Sequence, residues 1–239
     1  MYGAYERSAE VYDALYSQLV DYDANAARVA ELIDERNPAA ATLLEVASGT
    51  GAYLERFARR YEVVGVDSSP AMLERARAKL PDIEMVEGDM TDFDLGGSFD
   101  AVVCLFSSIA YLPDLEALHS TMAAFARHLN PGGVVVLEPW FSADRWNDGH
   151  VGAMSARTDG LAVARATTST RIDDRHVVMH FGFAVAYPDG RVDTYVEEHA
   201  TSQFTVEEHL EAFLAAGLTA EHDPEGLMER GLYVAVKQP

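Results

Sequence analysis

Apolar residues follow two different periods along the chain and so divide it into regions. From residue 43 to residue 137, short apolar runs alternate with stretches in which apolar residues recur every three or four positions. The runs are typical of buried parallel strands, and the stretches between them of connecting helices. The pattern predicts five strands, at residues 43–47, 63–66, 83–86, 99–106 and 134–137.

The predicted fold class is α/β, a doubly wound, mostly parallel sheet of the Rossmann-like type. After the fifth strand, a helical pattern at residues 206–216 ends at Gly217, and a last apolar run covers 232–236. We expect the last two strands to form a hairpin that completes a seven-stranded sheet, one of them antiparallel. Ligands of such sheets bind beyond the carboxyl ends of the strands.

Strict alternation of apolar and polar residues begins at Leu161. It runs through residues 161–171, 177–187 and 192–201, with turn residues between the runs. This pattern is typical of antiparallel strands joined by tight turns. We expect a three-stranded antiparallel insertion within residues 150–203 that covers the mouth of the site, in a single domain of residues 1–239.

A helical leader precedes the first strand, over residues 1–38, and is available as a lid. Tyrosine is concentrated in it, and two interpretations stay open for each ring, core packing or contact with a ligand. The four tyrosines are Tyr5, Tyr12, Tyr16 and Tyr22.

The first two strands frame a nucleoside-binding pattern. Glu45 lies inside the first strand, a glycine turn follows it, and Asp67 ends the second strand 22 residues later. An acid at that distance is placed to accept hydrogen bonds from a ribose diol. The alternative is an ordinary turn without a ligand.

The glycine pattern favours S-adenosylmethionine (SAM) over NAD. Dinucleotide sites prefer G-x-G-x-x-G, so that a pyrophosphate meets a helix start. Here Gly49 and Gly51 are followed by Leu54 at the third position, and the acid at the strand end would repel a phosphate while suiting an ammonium. After the third strand, Asp89 is placed to bind an exocyclic amine and Met90 to pack on a purine; the alternative for Asp89 is a solvated acid in a loop.

Composition narrows the class of ligand. The net charge is −21, from 18 basic and 39 acidic residues, which argues against nucleic acid and discourages contact with an anionic membrane. No run approaches the ~20 apolar residues of a membrane helix, and no signal peptide is visible. The single cysteine, Cys104, fits a reducing cytosol. We expect a cytoplasmic protein with a small-molecule substrate and no metal site; a homodimer is compatible with the sequence.

Several ordered motifs resemble class I SAM-dependent methyltransferases. More narrowly, they resemble the N,N-dimethyltransferases that act on dTDP-linked amino sugars in antibiotic pathways, of the desosamine and mycaminose type. The likeness spans nearly the whole chain and is carried by the segments 45–51, 67–73, 88–90, 106–112, 131–133 and 138–140.

The resemblance implies a set of cofactor contacts. The first-strand motif would hold the methionine part, Asp67 the ribose and the loop after the third strand the adenine, while leader tyrosines would close over them. The implied residues are Tyr12, Tyr22, Glu45, Ala47, Gly49, Gly51, Asp67, Ser68, Met72, Asp89, Met90, Leu105 and Phe106.

The resemblance also implies an acceptor site. Its residues would be Tyr5, Tyr111, Glu138, Trp140, Arg171 and Arg230, with Arg230 on the phosphate and Arg171 assisting. The chain departs from the family at Ser48, where cysteine is usual, and after Trp140, where Phe141, Ser142 and Ala143 replace the usual Trp-Phe-Pro.

The expected chemistry is placement of a neutral amine before the sulfonium methyl group. Tyr111 and Tyr5 are the candidate catalytic residues, because hydroxyls can orient an amine without the cost of a buried carboxylate. His119 and His128 are interpreted as surface or packing residues. A diphosphate substrate requires a local basic patch in this acidic chain, from the arginines that follow Trp140: Arg157, Arg165, Arg171, Arg175 and Arg230.

Three other functions remain open. A SAM-dependent O- or N-methyltransferase of another small metabolite would share the cofactor residues. A noncatalytic SAM- or nucleotide-binding module would lack room for an acceptor, and an NAD-dependent enzyme is disfavoured by Leu54.

Overall fold

Two β-sheets organise residues 4–238, the part of the chain that the computed structural model describes. The α-helices are α1 Tyr12–Tyr16, α2 Tyr22–Arg36, α3 Leu54–Phe57, α4 Pro70–Lys79, α5 Leu115–Arg127 and α6 Val206–Ala215. The strands are β1 Thr42–Val46, β2 Glu62–Asp67, β3 Glu84–Glu87, β4 Phe99–Cys104, β5 Leu129–Leu137, β6 Val151–Arg157, β7 Ala162–Arg171, β8 His176–Ala186, β9 Val192–Ser202, β10 Leu218–Asp223 and β11 Leu232–Lys237.

The larger sheet has seven strands in the order β10-β11-β5-β4-β1-β2-β3. Strands β1 to β5 are parallel, and β11 is antiparallel to both of its neighbours, β5 and β10. The predicted doubly wound, mostly parallel sheet with a closing hairpin is therefore confirmed. Because the chain moves outward from β1 to β3 and then returns to β4 on the other side of β1, the strand order reverses between β1 and β4.

Both faces of this sheet are buried, as the apolar strands require. Leu44 belongs to the core that includes Phe125 and Phe213 of α5 and α6. Leu43, the adjacent residue, belongs to the core on the opposite face, with Val29 of α2 and Phe57 of α3. Successive strand residues point to opposite faces, so one continuous apolar run supplies two cores.

The antiparallel insertion has four strands, in the order β6-β7-β8-β9. The prediction of three strands was wrong, because β6 pairs with β7 along its whole length but has few large apolar residues. The leader packs on this sheet: Val11 and Leu15 share a core with Val163, Phe181 and Val185. The leader and the insertion are thus joined by one shared apolar core.

Several predicted element boundaries also differ. The connecting helix after the glycine turn is α-helical only at Leu54–Phe57, with turns on both sides. Strand β4 ends at Cys104, because Phe106 and Ser107 have φ values of 53° and 64°, which a strand cannot accommodate. Strand β5 starts at Leu129, five residues early, with an irregular register opposite Phe99. None of the helices in residues 4–238 combines the length and hydropathy of a membrane span.

Candidate active site

The carboxyl ends of β1 and β4 border the point where the strand order reverses. Ala47 has a φ of 57°, and Phe106 and Ser107 also lie in the left-handed region. Each such conformation costs a non-glycine residue on the order of 1 kcal/mol. The segments that follow β1 and β4 both turn sharply as they leave the sheet, and a crevice lies between them at this point.

The glycine turn and Asp67 form one hydrogen-bonded unit. Asp67 Oδ2 accepts the amide proton of Gly49 at 2.7 Å, and Oδ1 accepts that of Ser69 at 2.8 Å. Gly49 has a φ of 55°, and nothing lies within 4 Å of the position its Cβ would take. At Gly51 a Cβ would approach Leu80 to 2.8 Å. Gly49 therefore leaves open space for a ligand, whereas Gly51 packs.

Glu45 is the test of whether a cationic cofactor fits. It is buried, and its Oε2 has no hydrogen-bond partner among the described residues. Burial, and then the negative charge of Asp67, raise its pKa well above the usual value. Such a carboxylate favours a cation, and the α-ammonium of SAM supplies one. The residues present fit SAM: Glu45 and the Gly49 turn would hold the amino-acid part, and Asp67 the ribose.

The remaining predicted cofactor residues lie around the same strand ends. Met72 is buried in α4, and Ser68 is exposed just before it. Asp89 is exposed, with Oδ1 accepting from the amide and hydroxyl of Thr91. Met90 is half-buried against the core, and Leu105 is buried.

The leader crosses the glycine turn. Asp13 accepts a hydrogen bond from the Thr50 hydroxyl and pairs with Lys79 Nζ at 2.9 Å. Tyr22 packs edge-on against Tyr53, with ring centroids 4.8 Å apart. The other leader tyrosines make a second cluster in which the Tyr12 ring contacts two neighbours, Tyr5 at 5.7 Å and Tyr16 at 4.5 Å.

A second cavity, of about 390 Å³, adjoins this crevice and is bounded by the leader, the segment after β5 and the insertion sheet. Aromatic residues are the largest group in its walls, and its cations are arginines. Although the chain has 39 acidic residues, no described Asp or Glu lines this cavity. The lining includes Tyr5, Tyr16, Phe106, Tyr111, Trp140, Phe141, Trp146, Phe181, Arg145, Arg165 and Arg230.

Arg230 is fixed at the wall of this cavity. Its Nη1 donates to Ser107 Oγ at 3.2 Å, and its guanidinium lies 5.0 Å from the ring centroids of Phe106 and Trp140. Glu138 lies behind it, fully buried, with Oε2 accepting the Phe106 amide proton at 2.7 Å. Burial raises the pKa of Glu138, and Arg230 opposes that shift. Glu138 thus supports the wall rather than lining the cavity.

Only part of the predicted basic patch reaches the cavity. Arg165 does: it donates to the Tyr16 hydroxyl at 2.7 Å and lies 4.3 Å from the Phe181 ring centroid. Arg171 is outside the lining and pairs with Asp148 at 2.9 Å. Sequence reasoning missed Arg145, which lines the cavity. It lies after β5, in an irregular segment whose apolar residues show no periodicity.

Tyr5 and Tyr111, the two candidate catalytic residues, meet at the cavity wall. Their hydroxyl oxygens are 2.8 Å apart. Burial raises both phenol pKa values well above the usual range, so both hydroxyls stay neutral. The Tyr111 oxygen also lies 2.7 Å from Nδ1 of His199, a residue that sequence reasoning missed.

The two histidines that sequence reasoning did consider lie elsewhere. His119 is exposed, and His128 is buried against the Phe93 ring with its Nε2 accepting the amide proton of Leu95. Neither lines the cavity. Within residues 4–238, no three His, Cys, Asp or Glu side chains converge as a metal-binding set.

Known proteins resemble this chain over nearly its full length. Residues 43–133 match a family model described as a methyltransferase domain. A dTDP-3-amino-3,4,6-trideoxy-alpha-D-glucopyranose N,N-dimethyltransferase from Streptomyces venezuelae is 43% identical over 230 residues, which are 95% of this chain and 97% of that protein. A dTDP-3-amino-3,6-dideoxy-alpha-D-glucopyranose N,N-dimethyltransferase from Streptomyces fradiae is 38% identical, over 95% of this chain and 90% of that protein.

Solved structures agree with these relatives. DesVI from Streptomyces venezuelae superposes with a TM-score of 0.91 at 43% identity, covering 96% of this chain and 98% of that one. SAM-bound CalS10, an amino pentose methyltransferase from Micromonospora echinaspora, gives a TM-score of 0.85 at 41% identity, with 95% and 97% covered. The chain therefore belongs to the SAM-dependent methyltransferases, within the family of dTDP-amino-sugar N,N-dimethyltransferases.

Proposed function

We propose that this protein transfers methyl groups from SAM to the amino group of a dTDP-linked amino sugar, giving the N,N-dimethylated sugar nucleotide. The observation that carries the proposal is the charge of the acceptor cavity. In a chain of net charge −21, the described lining contains three arginines and no carboxylate. A diphosphate is the ligand that such a wall suits.

The aromatic part of the wall suits the rest of such a substrate. Trp140, Phe141 and Trp146 form a contiguous cluster, with ring centroids 5.0 and 6.0 Å from Trp140. Flat rings of this kind pack on a pyrimidine base or the apolar face of a deoxysugar. The arginines would then hold the diphosphate while the sugar's amino group reaches Tyr5 and Tyr111.

The residues act mainly by placing the amine. When bound, SAM supplies a methyl group on a sulfonium, which is already activated for transfer. Tyr5 and Tyr111 orient the amine through their hydroxyl groups, and the Phe106 and Tyr16 rings, 5.2 Å apart, help to exclude water between the two sites. Holding both reactants in line lowers the entropic part of the barrier.

The direct test is methyl transfer from labelled SAM, followed by mass spectrometry. The acceptors are dTDP-3-amino and dTDP-4-amino deoxysugars beside the same free amino sugars and simple amines. We expect one and then two methyl groups on a sugar nucleotide. Methylation of free amines or hydroxyl compounds alone would support a methyltransferase of another small metabolite, and SAM binding without any product would support a noncatalytic module.

The proposed reaction also suggests a location. A sugar nucleotide and SAM are both metabolites of the cytoplasm, and the single cysteine, Cys104, is a buried free thiol. We therefore propose a cytoplasmic enzyme. Fractionation of the producing cells should recover methyl transfer activity with the cytoplasmic enzymes, and recovery with the membrane fraction would contradict this.

A further inference from the structure

A chain of polar side chains leads from the acceptor cavity into the protein. The hydroxyl oxygens of Tyr5 and Tyr111 are 2.8 Å apart, and Tyr111 Oη lies 2.7 Å from His199 Nδ1. On the far side of the imidazole, Nε2 lies 3.5 Å from Glu197 Oε2. His199 and Glu197 are both fully buried, and neither lines the cavity.

Glu197 is held as an anion. Its Oε1 accepts the amide protons of Arg7 at 2.7 Å and Ser8 at 2.8 Å. Burial raises the pKa of its carboxyl, but the hydrogen bonds from His199 and from these two residues outweigh burial and bring the pKa below its usual value. A buried anion with one oxygen facing an imidazole stabilises positive charge on that ring.

The charge of Glu197 decides the tautomer of neutral His199. Two bare acceptors facing each other would repel, so Nε2 carries the proton and points at Glu197, which leaves Nδ1 as an acceptor. Tyr111 then donates to Nδ1, and Tyr5 donates to the Tyr111 oxygen. With a proton added to Nδ1, the bonds reverse: His199 donates to Tyr111, and Tyr111 donates to Tyr5. The links from Tyr5 to Tyr111 and from Tyr111 to His199 Nδ1 are kept in both states.

We propose that His199, backed by Glu197, accepts the proton that the substrate's ammonium group must lose before methyl transfer, through the hydroxyl groups of Tyr111 and Tyr5. This inference rests on the proposed function, because it requires an amine acceptor that arrives protonated. His199 does not touch the substrate and is a positioning residue for the two tyrosines, which do.

The transfer balances in protons and charge. The ammonium gives one proton to Tyr5 Oη, the original Tyr5 proton moves to Tyr111 Oη, and the Tyr111 proton moves to His199 Nδ1. The substrate becomes a neutral amine, and the imidazole becomes an imidazolium beside the Glu197 carboxylate. Rotation about the C–N bond then turns the freed lone pair toward the methyl group. No tyrosinate forms, which agrees with the raised phenol pKa values.

The surroundings of the imidazole contain few other charges. Phe181 on β8 packs on the ring with centroids 4.4 Å apart, and Tyr5 approaches it edge-on at 4.9 Å. Arg165 on β7 lies behind Phe181, 4.3 Å from that ring centroid. Arg165 and Glu197 are thus the charged groups near this part of the structure, and their charges are opposite.

The test is the pH profile of kcat/KM for the wild type and His199→Asn. The asparagine keeps a hydrogen-bonding group near the Nδ1 position but cannot accept a proton. Without the relay, the substrate must bind as the neutral amine. At pH values above the amine's own pKa, we therefore expect kcat/KM of His199→Asn to be within about threefold of the wild-type value. Below that pKa, kcat/KM of the variant should fall about tenfold further behind the wild type for each pH unit. The kcat/KM of Glu197→Gln below the amine's pKa should lie between the values of the wild type and of His199→Asn.

A matched control separates this effect from a packing defect. His128→Asn removes another buried imidazole, in contact with Phe93 and remote from the cavity, and should leave the shape of the profile unchanged. A loss in His199→Asn that is the same at every pH would overturn the relay. If the wild type methylates a different amine, the proposed sugar-nucleotide function fails, and the same profiles on that amine still decide the relay.

A second readout needs no turnover. In ¹⁵N-histidine-labelled protein with S-adenosylhomocysteine, the His199 ring signals are assigned by their absence in His199→Asn. Adding the aminosugar nucleotide below the amine's pKa should convert these signals to those of an imidazolium with both nitrogens protonated. Ring signals that do not change when the substrate binds would contradict the proposal.

Discussion

Glu138 Oε1 lies 3.7 Å from Arg230 Nη1, and the carboxylate is fully buried behind the guanidinium. This pair joins the wall of the acceptor cavity to the end of β5. Removing the arginine should therefore affect both substrate binding and the stability of the protein.

Arg230→Met should raise KM for the sugar nucleotide at least tenfold, since a charge-assisted hydrogen bond is worth about 1.5–3 kcal/mol. The Kd of SAM should stay unchanged. The variant should also unfold more easily, because Glu138 keeps a buried charge without a partner. In the double variant with Glu138→Gln, stability should recover while KM stays high. If the double variant recovered both the stability and the KM of the wild type, Arg230 would have only a structural role.

Arg165 and Arg171, both on β7, provide a matched pair for locating the phosphate. Arg165 faces the cavity, and among the described residues it has no carboxylate within 4.0 Å, whereas Arg171 already pairs with Asp148. We expect Arg165→Met to raise KM for the sugar nucleotide about tenfold and Arg171→Met to change it less than twofold. Steady-state kinetics with both substrates varied will measure this. A larger rise in KM for Arg171→Met than for Arg165→Met would indicate that the diphosphate binds near Arg171 instead.

Tyr111→Phe should slow turnover by about 10- to 100-fold near neutral pH, because the variant loses a hydroxyl that orients the amine and also interrupts the proposed path of the proton to His199. The loss should shrink as pH rises above the amine's pKa. Calorimetry should give an unchanged Kd for SAM. A loss of several orders of magnitude at every pH, with SAM binding intact, would instead make this phenol the base itself.

Glu45→Gln should stabilise the protein without cofactor. Burial raises the pKa values of Glu45 and Asp67 above their usual values. The folded protein therefore holds these protons more tightly than the unfolded chain, and the free energy of unfolding falls as pH rises from about 4 through the raised pKa values. At neutral pH, the variant should gain about 1–3 kcal/mol and bind SAM more weakly.

Denaturant unfolding at pH 5 and pH 8 measures this effect, with and without SAM. Glu84→Gln, at an exposed position on β3, is the control and should change stability little. A Glu45→Gln protein that is less stable than the wild type at pH 8 without SAM would contradict the prediction.

Asp13→Asn should speed release of SAM. Asp13 joins the leader to Thr50 and Lys79 across the glycine turn, but the pair is partly exposed, and such contacts are worth about 1 kcal/mol or less. We expect the dissociation rate to rise two- to fivefold in stopped-flow measurements, with a smaller salt dependence than in the wild type. Asp34→Asn breaks an exposed pair with Arg60 and is the control. Equal dissociation rates of SAM in Asp13→Asn and Asp34→Asn would contradict a role of the leader as a lid over the cofactor.

The cofactor half of the site could be found from the sequence because it follows local rules. The glycine turn, Glu45 and Asp67 lie within one strand-helix-strand unit, where alternation and turn chemistry fix their positions. The order of the parallel strands then brings the strand ends to one edge. For this reason the fold class and the choice of SAM followed from residues close together in the chain.

The acceptor half depended on the tertiary structure. Tyr5, Tyr111 and His199 come from the leader, the segment after β4 and the last strand of the insertion, and no local pattern relates them. Folding likewise decides that Arg145 and Arg165 face the cavity while Arg171 pairs with Asp148. The sequence by itself determined which strands form and where a nucleoside binds, because periodicity and turns are local. Only the packing of the leader on the insertion decided which distant side chains meet the amine.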